Sequence, residues 1–216
     1  MANDSRTPNR SQRRTRLGRP RGGARKEDRL EDVLVVAARL FRERGYRATG
    51  LDQIADELGV TRAALYYYFD TKQELLDAIC GRSMDAVESA LQEVQAVSDA
   101  AERLRAFGRA FARNTATDAA RVFFRDGKEL SAEFRQRQRD RAHRVTRGAE
   151  EIIESGIASG RFRPLDAQVA APALLAMLNS LPDWVRPARH GALEDVTEQT
   201  LDVFLHGICL PHGATS

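Results

Sequence analysis

Between Thr61 and Lys72 the chain reads Thr-Arg-Ala-Ala-Leu-Tyr-Tyr-Tyr-Phe-Asp-Thr-Lys, and its side chains suit contact with nucleic acid. On a helix starting at Thr61, Leu65 turns inward while Thr61, Arg62, Ala63, Ala64, Tyr66 and Tyr67 point largely outward. A face of hydroxyls, one guanidinium and two small residues suits a major groove better than water. Thr71-Lys72-Gln73-Glu74 follows as a capping box with a Lys in the first turn. A cation there opposes the helix dipole and gains most beside a phosphate. The bland meaning of this run is a helical hairpin in an ordinary bundle. Against it stand Tyr66, Tyr67, Tyr68 and Phe69, more aromatic surface than a short helix needs for packing.

Other elements must hold that face in place. Residues 51–58 form a short helix with Leu51, Ile54, Ala55 and Leu58 on one apolar face. Gly59 supplies the turn, Val60 fills the angle between the helices, and Thr61 is a suitable N-cap for a second helix over 61–68. Ala55 is small enough for a close crossing. Before them, 27–44 reads as a supporting helix with Leu30, Val33, Leu34, Ala37 and Phe41 on one face, stopped by Gly45. Phe41, Ile54, Leu58, Leu65 and Phe69 form the expected small core. A long helix from Lys72 to about residue 94 then leads into the body, placed as a lever between body and head.

The order Gly45-Tyr46, Thr49, Ile54-Ala55, Gly59-Val60, Leu65-Tyr66-Tyr67, Phe69, Lys72 and Leu75 resembles the N-terminal domain of TetR-type transcriptional regulators. The resemblance covers about 27–79 in one fixed register. It implies an all-α homodimer with a three-helix DNA-binding head and a larger helical body that takes a small inducer. By that resemblance Thr49, Tyr67 and Lys72 hold phosphates, while Arg62, Ala63, Ala64 and Tyr66 face the bases. Gly50 departs from the family, which often carries Ser or Thr there.

The chain has 216 residues, 42% hydrophobic and 30% charged, and a net charge of +3. Nine of its Lys and Arg lie in residues 1–26 with one acid, Asp4, so this segment is +8 and residues 27–216 are −5. An acidic body is repelled by DNA except where a basic surface meets it. Segment 1–26 is rich in Arg, Gly, Pro, Ser and Asn and lacks apolar periodicity, which predicts a disordered basic arm. Within it, Gly18-Arg19-Pro20-Arg21-Gly22 resembles a hook that enters narrow A·T-rich minor grooves through Arg19 and Arg21. A solvated tail adding non-specific affinity is the equal alternative.

The apolar runs are too short and interrupted to span a membrane, and no apolar N-terminal leader segment is present, so a cytoplasmic location is expected. Cys80 and Cys209 and the four histidines give no disulfide, metal or cofactor spacing. No Ser/His/Asp grouping or phosphate loop supports an enzyme, and pairs such as Glu150-Glu151 read as helix surface.

The remainder is all-α: helices are expected over about 99–115, 118–125, 131–158, 166–181 and 193–208, with Pro172 kinking the fourth or marking its start. The expected organisation is an arm over 1–26, a DNA-binding domain over 27–71 and a ligand-binding and dimerisation domain over 72–210. Helices 166–181 and 193–208 are the candidate dimer interface, by their apolar faces and by the resemblance. Burial within one subunit is the alternative. Phe107, Phe111, Phe123, Phe124, Met177 and Trp184 could line an inducer pocket, or each could be plain core. Arg137, Arg141 and Arg144 share a helix face, which is either solvated or grips an anionic ligand, with Arg141 and Arg144 the candidates. The segments VFFRDGKELS and ALLAMLNSLPDWVRP resemble, more weakly, the bodies of TetR-type regulators that sense acyl-CoA thioesters. Pro182 and Asp183 depart from them. Two functions emerge: a dimeric repressor on a near-palindromic operator, released by an inducer such as an acyl-CoA, or an architectural DNA-binding protein with little sequence preference.

Overall fold

Side-chain caps open most of the helices. Thr61, Thr71, Asp99, Thr117 and Ser131 each accept a hydrogen bond from the backbone N–H three residues on, at 2.9–3.2 Å. Asp166 accepts from Gln168 N at 2.9 Å. Each satisfies a donor that the first helical turn leaves unpaired. The computed structural model describes residues 23–209, so Arg19, Arg21 and most of the expected arm lie outside the described residues.

The helices are α1 (Gly23–Arg44), α2 (Leu51–Leu58), α3 (Arg62–Tyr66), α4 (Lys72–Glu93), α5 (Ala100–Thr115), α6 (Asp118–Asp126), α7 (Ala132–Ala158), α8 (Ala167–Trp184), α9 (Pro187–His190) and α10 (Leu193–Ile208). The class is all-α, with no strand among the described residues beyond an isolated bridge between Phe162 and Cys209. α1 begins four residues before the expected Glu27, so the proposed boundary at 26/27 falls inside a helix. α3 stops at Tyr66, two residues short of expectation. α8 starts at Ala167 and runs through both Pro172 and Pro182 to Trp184, so Pro172 does not mark its start. The Asp166 cap fixes that start more than a turn earlier.

Two apolar cores result. The body core gathers Leu104, Phe107, Ile152, Ile153, Leu174, Leu178 and Leu201 from α5, α7, α8 and α10. The head core holds Phe41, Ile54, Leu65 and Phe69, with Leu58 packed at its margin, but it does not end with α3. Leu75, Leu76, Ile79 and Cys80 of α4, Val122 of α6, Leu130 just before α7 and Phe134 of α7 belong to the same cluster. Head and body are therefore joined by packed side chains. Burial pushes the Cys80 thiol up to about 12, as expected of an inert core cysteine.

One close approach anchors the far end of the body. A Cβ at Gly156 on α7 would lie 2.2 Å from Cδ2 of the fully buried Phe162 ring. At Gly81, inside α4, an added Cβ meets nothing nearer than Phe134 at 3.8 Å. Gly156→Ala should therefore destabilise the fold by about 1–3 kcal/mol through overpacking. Gly81→Ala should stabilise it by about 0.5–1 kcal/mol through its better helix propensity. Thermal denaturation of the two variants checks the opposite signs.

Candidate nucleic-acid interface and body cavity

Gly59 adopts φ 66° and closes α2, its own N–H and that of Val60 reaching the carbonyls of Asp56 and Ala55 at 3.1 and 3.0 Å. The turn throws α3 outward and roots it through Leu65, which is fully buried. Thr61, Arg62 and Ala63 are exposed, Ala64 and Tyr66 are half-buried, and Tyr67 is 70% exposed. α3 thus presents small and polar groups around one long cation.

That cation is held in place by its neighbours. Arg62 donates to Asp52 on α2 at 3.0 Å and to the Tyr66 hydroxyl at 3.1 Å, with its guanidinium 5.3 Å from the Tyr66 ring centroid. The Tyr66 hydrogen bond and the Asp52 charge raise the pKa of a group already charged at any physiological pH. Asp52 was not singled out from the sequence. Its place in the first turn of α2, one helix before Arg62, was the available signal.

Two of the expected phosphate ligands have other work. Thr49 is fully buried, and its hydroxyl donates to Gly45 O at 2.9 Å, so its side chain cannot meet a phosphate in this conformation. Its role is to brace the link between α1 and α2. Lys72 folds back: its ammonium donates to Tyr46 O at 2.9 Å and Thr49 O at 3.1 Å, and lies 4.4 Å from the Tyr46 ring centroid. Two of its three donors are used in tying that link to the start of α4. Tyr46, missed as a partner, lies 26 residues from Lys72, beyond any local spacing rule.

Behind the head, α4–α8 line a partly open cavity of about 320 Å³, near the lower end of the usual range for small-molecule sites. Its apolar wall includes Val87, Phe111, Phe123, Phe124, Val145 and Leu175. Ser83 and Asn114 meet at 3.0 Å on its polar side, while the Asn179 side-chain oxygen is buried without a partner among the described residues. Phe111, Phe123 and Phe124 thus reach the cavity as one of their two readings required. Phe107 does not: it is fully buried in the body core, 5.9 Å from the Phe111 ring. Met177 and Trp184 also miss it, lying partly exposed on the outer side of α8.

The expected anion grip by Arg141 and Arg144 is corrected as well. Arg141 donates to Glu88 at 2.7 Å and also pairs with Asp85, while Arg144 reaches Glu88 at 3.3 Å. The hydrogen bond from Arg141 is the main cause holding the Glu88 carboxyl below its ordinary range. These arginines fasten α7 to α4. Among the described residues no group of three His, Cys, Asp or Glu could hold a metal. No described helix is long and apolar enough to cross a membrane.

The head is a helix–turn–helix of the kind that enters DNA grooves, mounted on a helical body with a partly open cavity. Residues 33–79 match the family "Bacterial regulatory proteins, tetR family", and residues 97–208 match "Tetracyclin repressor-like, C-terminal domain". The TetR-family regulator PfmR from Thermus thermophilus is 32% identical and superposes with a TM-score of 0.74, covering 81% of this chain and 97% of its own. AibR, in a crystal structure with isovaleryl coenzyme A and operator DNA, is 28% identical with a TM-score of 0.71, covering 85% and 99%. The transcriptional repressor KstR2 of Rhodococcus jostii is 28% identical over 203 residues, 87% of this chain and 94% of its own. The chain belongs to the TetR family of bacterial transcriptional regulators, which bind DNA and are not enzymes.

Arg62→Ala should weaken binding to a specific duplex about ten- to a hundredfold, as expected for loss of one base-reading arginine. Thr49→Val should lower the melting temperature yet leave the salt dependence of DNA binding unchanged, because no phosphate contact is lost. Fluorescence anisotropy across a salt series, with thermal melts, separates the two.

Proposed function

We propose that this chain is a ligand-responsive repressor that binds a near-palindromic operator as a homodimer and is released when a small acyl compound fills the body cavity. The observation that carries this reading is the cavity's position on α6. Ala120, Phe123 and Phe124 of α6 line the cavity while Val122 of the same helix is buried in the head core. A ligand that prefers one placement of α6 therefore biases the head. The mostly apolar lining suits an acyl chain, and AibR's crystallisation with isovaleryl coenzyme A and operator DNA supports a thioester as the ligand class. Repression rests on the likeness to KstR2.

In the DNA-bound state, α3 occupies the major groove with Thr61, Arg62, Ala63, Ala64 and Tyr66 toward the bases. Tyr67 and the remaining donor of Lys72 meet the backbone. Dimerisation through α8 and α10 is supported by an apolar strip that the single chain leaves uncovered. Val169, Ala173, Met177 and Trp184 share one side of α8 and are all exposed. Val203 on α10 is 70% exposed. Two heads at half-sites about 34–36 Å apart would then read a two-fold operator.

Acyl-CoAs of increasing chain length, titrated onto the complex with a duplex selected from a random library, should release it at one preferred length. A protein that selects no sequence and ignores every ligand would instead be an architectural DNA binder. Val203→Arg should shift the protein from dimer to monomer in sedimentation and weaken operator binding. An unchanged dimer would move the interface elsewhere.

A further inference from the structure

Between α6 and α8 lies a cleft of about 550 Å³ that carries Arg121 and Arg125 on its α6 side and Asn179, Ser180 and Asp183 on its α8 side. Phe124, Ala176 and Asn179 line both this cleft and the cavity, so the two spaces adjoin. Chemistry changes across that shared wall, from apolar inside to two guanidiniums outside. The unpartnered Asn179 oxygen lies at the transition, and its amide can turn to offer a donor or an acceptor.

Each arginine of the cleft is engaged differently. Arg121 pairs with Asp183 at 2.6 Å, and the Asp183 side chain is 63% exposed, so this partner can turn into solvent at little cost. Arg125 reaches into the head. Its guanidinium donates to Arg42 O at 2.6 Å, to Phe41 O, and to Asp126 at 2.6 Å. Phe41 and Arg42 stand in the last turn of α1, where a cation is favoured, and the Phe41 carbonyl also accepts from Gly45 N at 2.8 Å. One side chain thus faces the cleft and caps the helix that supports the DNA reader.

We propose that Arg121 and Arg125 form an anion subsite for the charged headgroup of the acyl ligand, and that an anion there draws Arg125 away from the Phe41 and Arg42 carbonyls. This rests on the reading that the cavity takes an acyl chain. The anion replaces Asp183 on Arg121 and offers Arg125 a bond charged on both sides in exchange for neutral carbonyls. The Arg125 side chain is partly exposed and lines the cleft, so an anion there meets it without opening the body. Once it leaves, the polar ties from the end of α1 and the link after it to this part of the body are, among the described residues, the exposed-rim ion pairs of Arg42 with Asp118 and Arg47 with Glu129, while the shared apolar core remains. The loosened end of α1 then lets the head shift on that core, away from operator spacing. An apolar ligand without a headgroup would fill the cavity and leave the cap closed.

The test compares octanoyl-CoA, octanoate and octanol on full-length wild-type protein and on Arg125→Met, Arg125→Lys and Arg121→Met. Calorimetry reads binding, anisotropy reads release of the selected duplex, and hydrogen exchange reads the amides of 41–50. In wild type, octanol should bind without release, whereas an anionic ligand should release DNA and speed exchange over 41–50. Release by octanoyl-CoA alone assigns the subsite to a phosphate-bearing headgroup; release by octanoate as well assigns it to any carboxylate or phosphate. Arg121→Met should bind the anionic ligand about tenfold more weakly, as loss of a charge-assisted bond implies. Arg125→Met, which lacks the cap from the start, should bind the duplex more weakly and exchange faster over 41–50 without ligand, and an anionic ligand should add nothing further, with octanol binding reporting that its cavity is folded. Arg125→Lys, which keeps the charge but loses the fork, should be released at lower ligand concentration. Duplex binding by Arg125→Met as tight as wild type, with release at the wild-type ligand concentration, overturns the subsite and leaves the cavity reading intact. No binding of any of the three compounds overturns both.

Discussion

Val122, Leu130 and Phe134 are body residues by sequence position, yet they are buried in the same cluster as Phe41, Ile54 and Leu65 of the head. A three-helix unit of fewer than fifty residues exposes too much of its apolar surface to be stable alone. Here the deficit is met by α4, α6 and the start of α7, which close the head core from behind. Everything else in the molecule inherits that constraint. The reading helix can be short because its footing, Leu65, sits in a core larger than the head itself.

α6 is the element on which this sharing turns. It is nine residues long, too short to be stable as an isolated helix, and is held by what it touches on each side. Val122 faces the head core, Phe123 lies between head core and cavity, and Phe124 faces cavity and cleft. Arg125 and Asp118 add polar ties to α1 at the helix's two ends. A helix fixed by packing on opposite faces has few independent positions, so displacement on the cavity side must appear on the head side. That mechanical economy gives a small cavity leverage over a distant surface.

Local features were legible in the sequence where local chemistry decides them. Thr61, Thr71, Asp99 and Ser131 cap helices where the capping patterns place them, and Gly59 makes the left-handed turn that joins α2 to α3. What stayed hidden was decided by partners distant in sequence. Arg141 and Arg144 looked like a grip for an anion, but Glu88, more than fifty residues away, takes them both. Met177 and Trp184 looked like pocket aromatics and apolars, but the rotation of α8 about its axis carries them outward and brings Pro172, Leu175 and Asn179 to the cavity. Helical periodicity tells which residues share a face, not which neighbour that face meets. Thr49 illustrates the same limit at one residue: a hydroxyl at a loop end serves a phosphate or a carbonyl equally well until the fold shows which is nearer.

The polar groups of the free head are already satisfied from within. Arg62 rests on Asp52 and Tyr66, and Lys72 on the carbonyls of Tyr46 and Thr49. Contact with DNA is therefore an exchange of partners, and its net gain is the difference between two satisfied states. The exposed Arg62–Asp52 pair is weakly held in water, so the proposed trade for a base edge costs little. The Lys72 contacts are half-buried and also hold the α1–α2 link in place, so keeping them serves the DNA complex better than giving them up. On the proposed reading, specificity falls to a few groups on α3, and strength to how rigidly the α1–α2 link and the end of α1 are held. Those are the same backbone carbonyls and turns that the body reaches through Arg125 and Glu129, which is why a regulator with so small a reading surface can be governed from behind it.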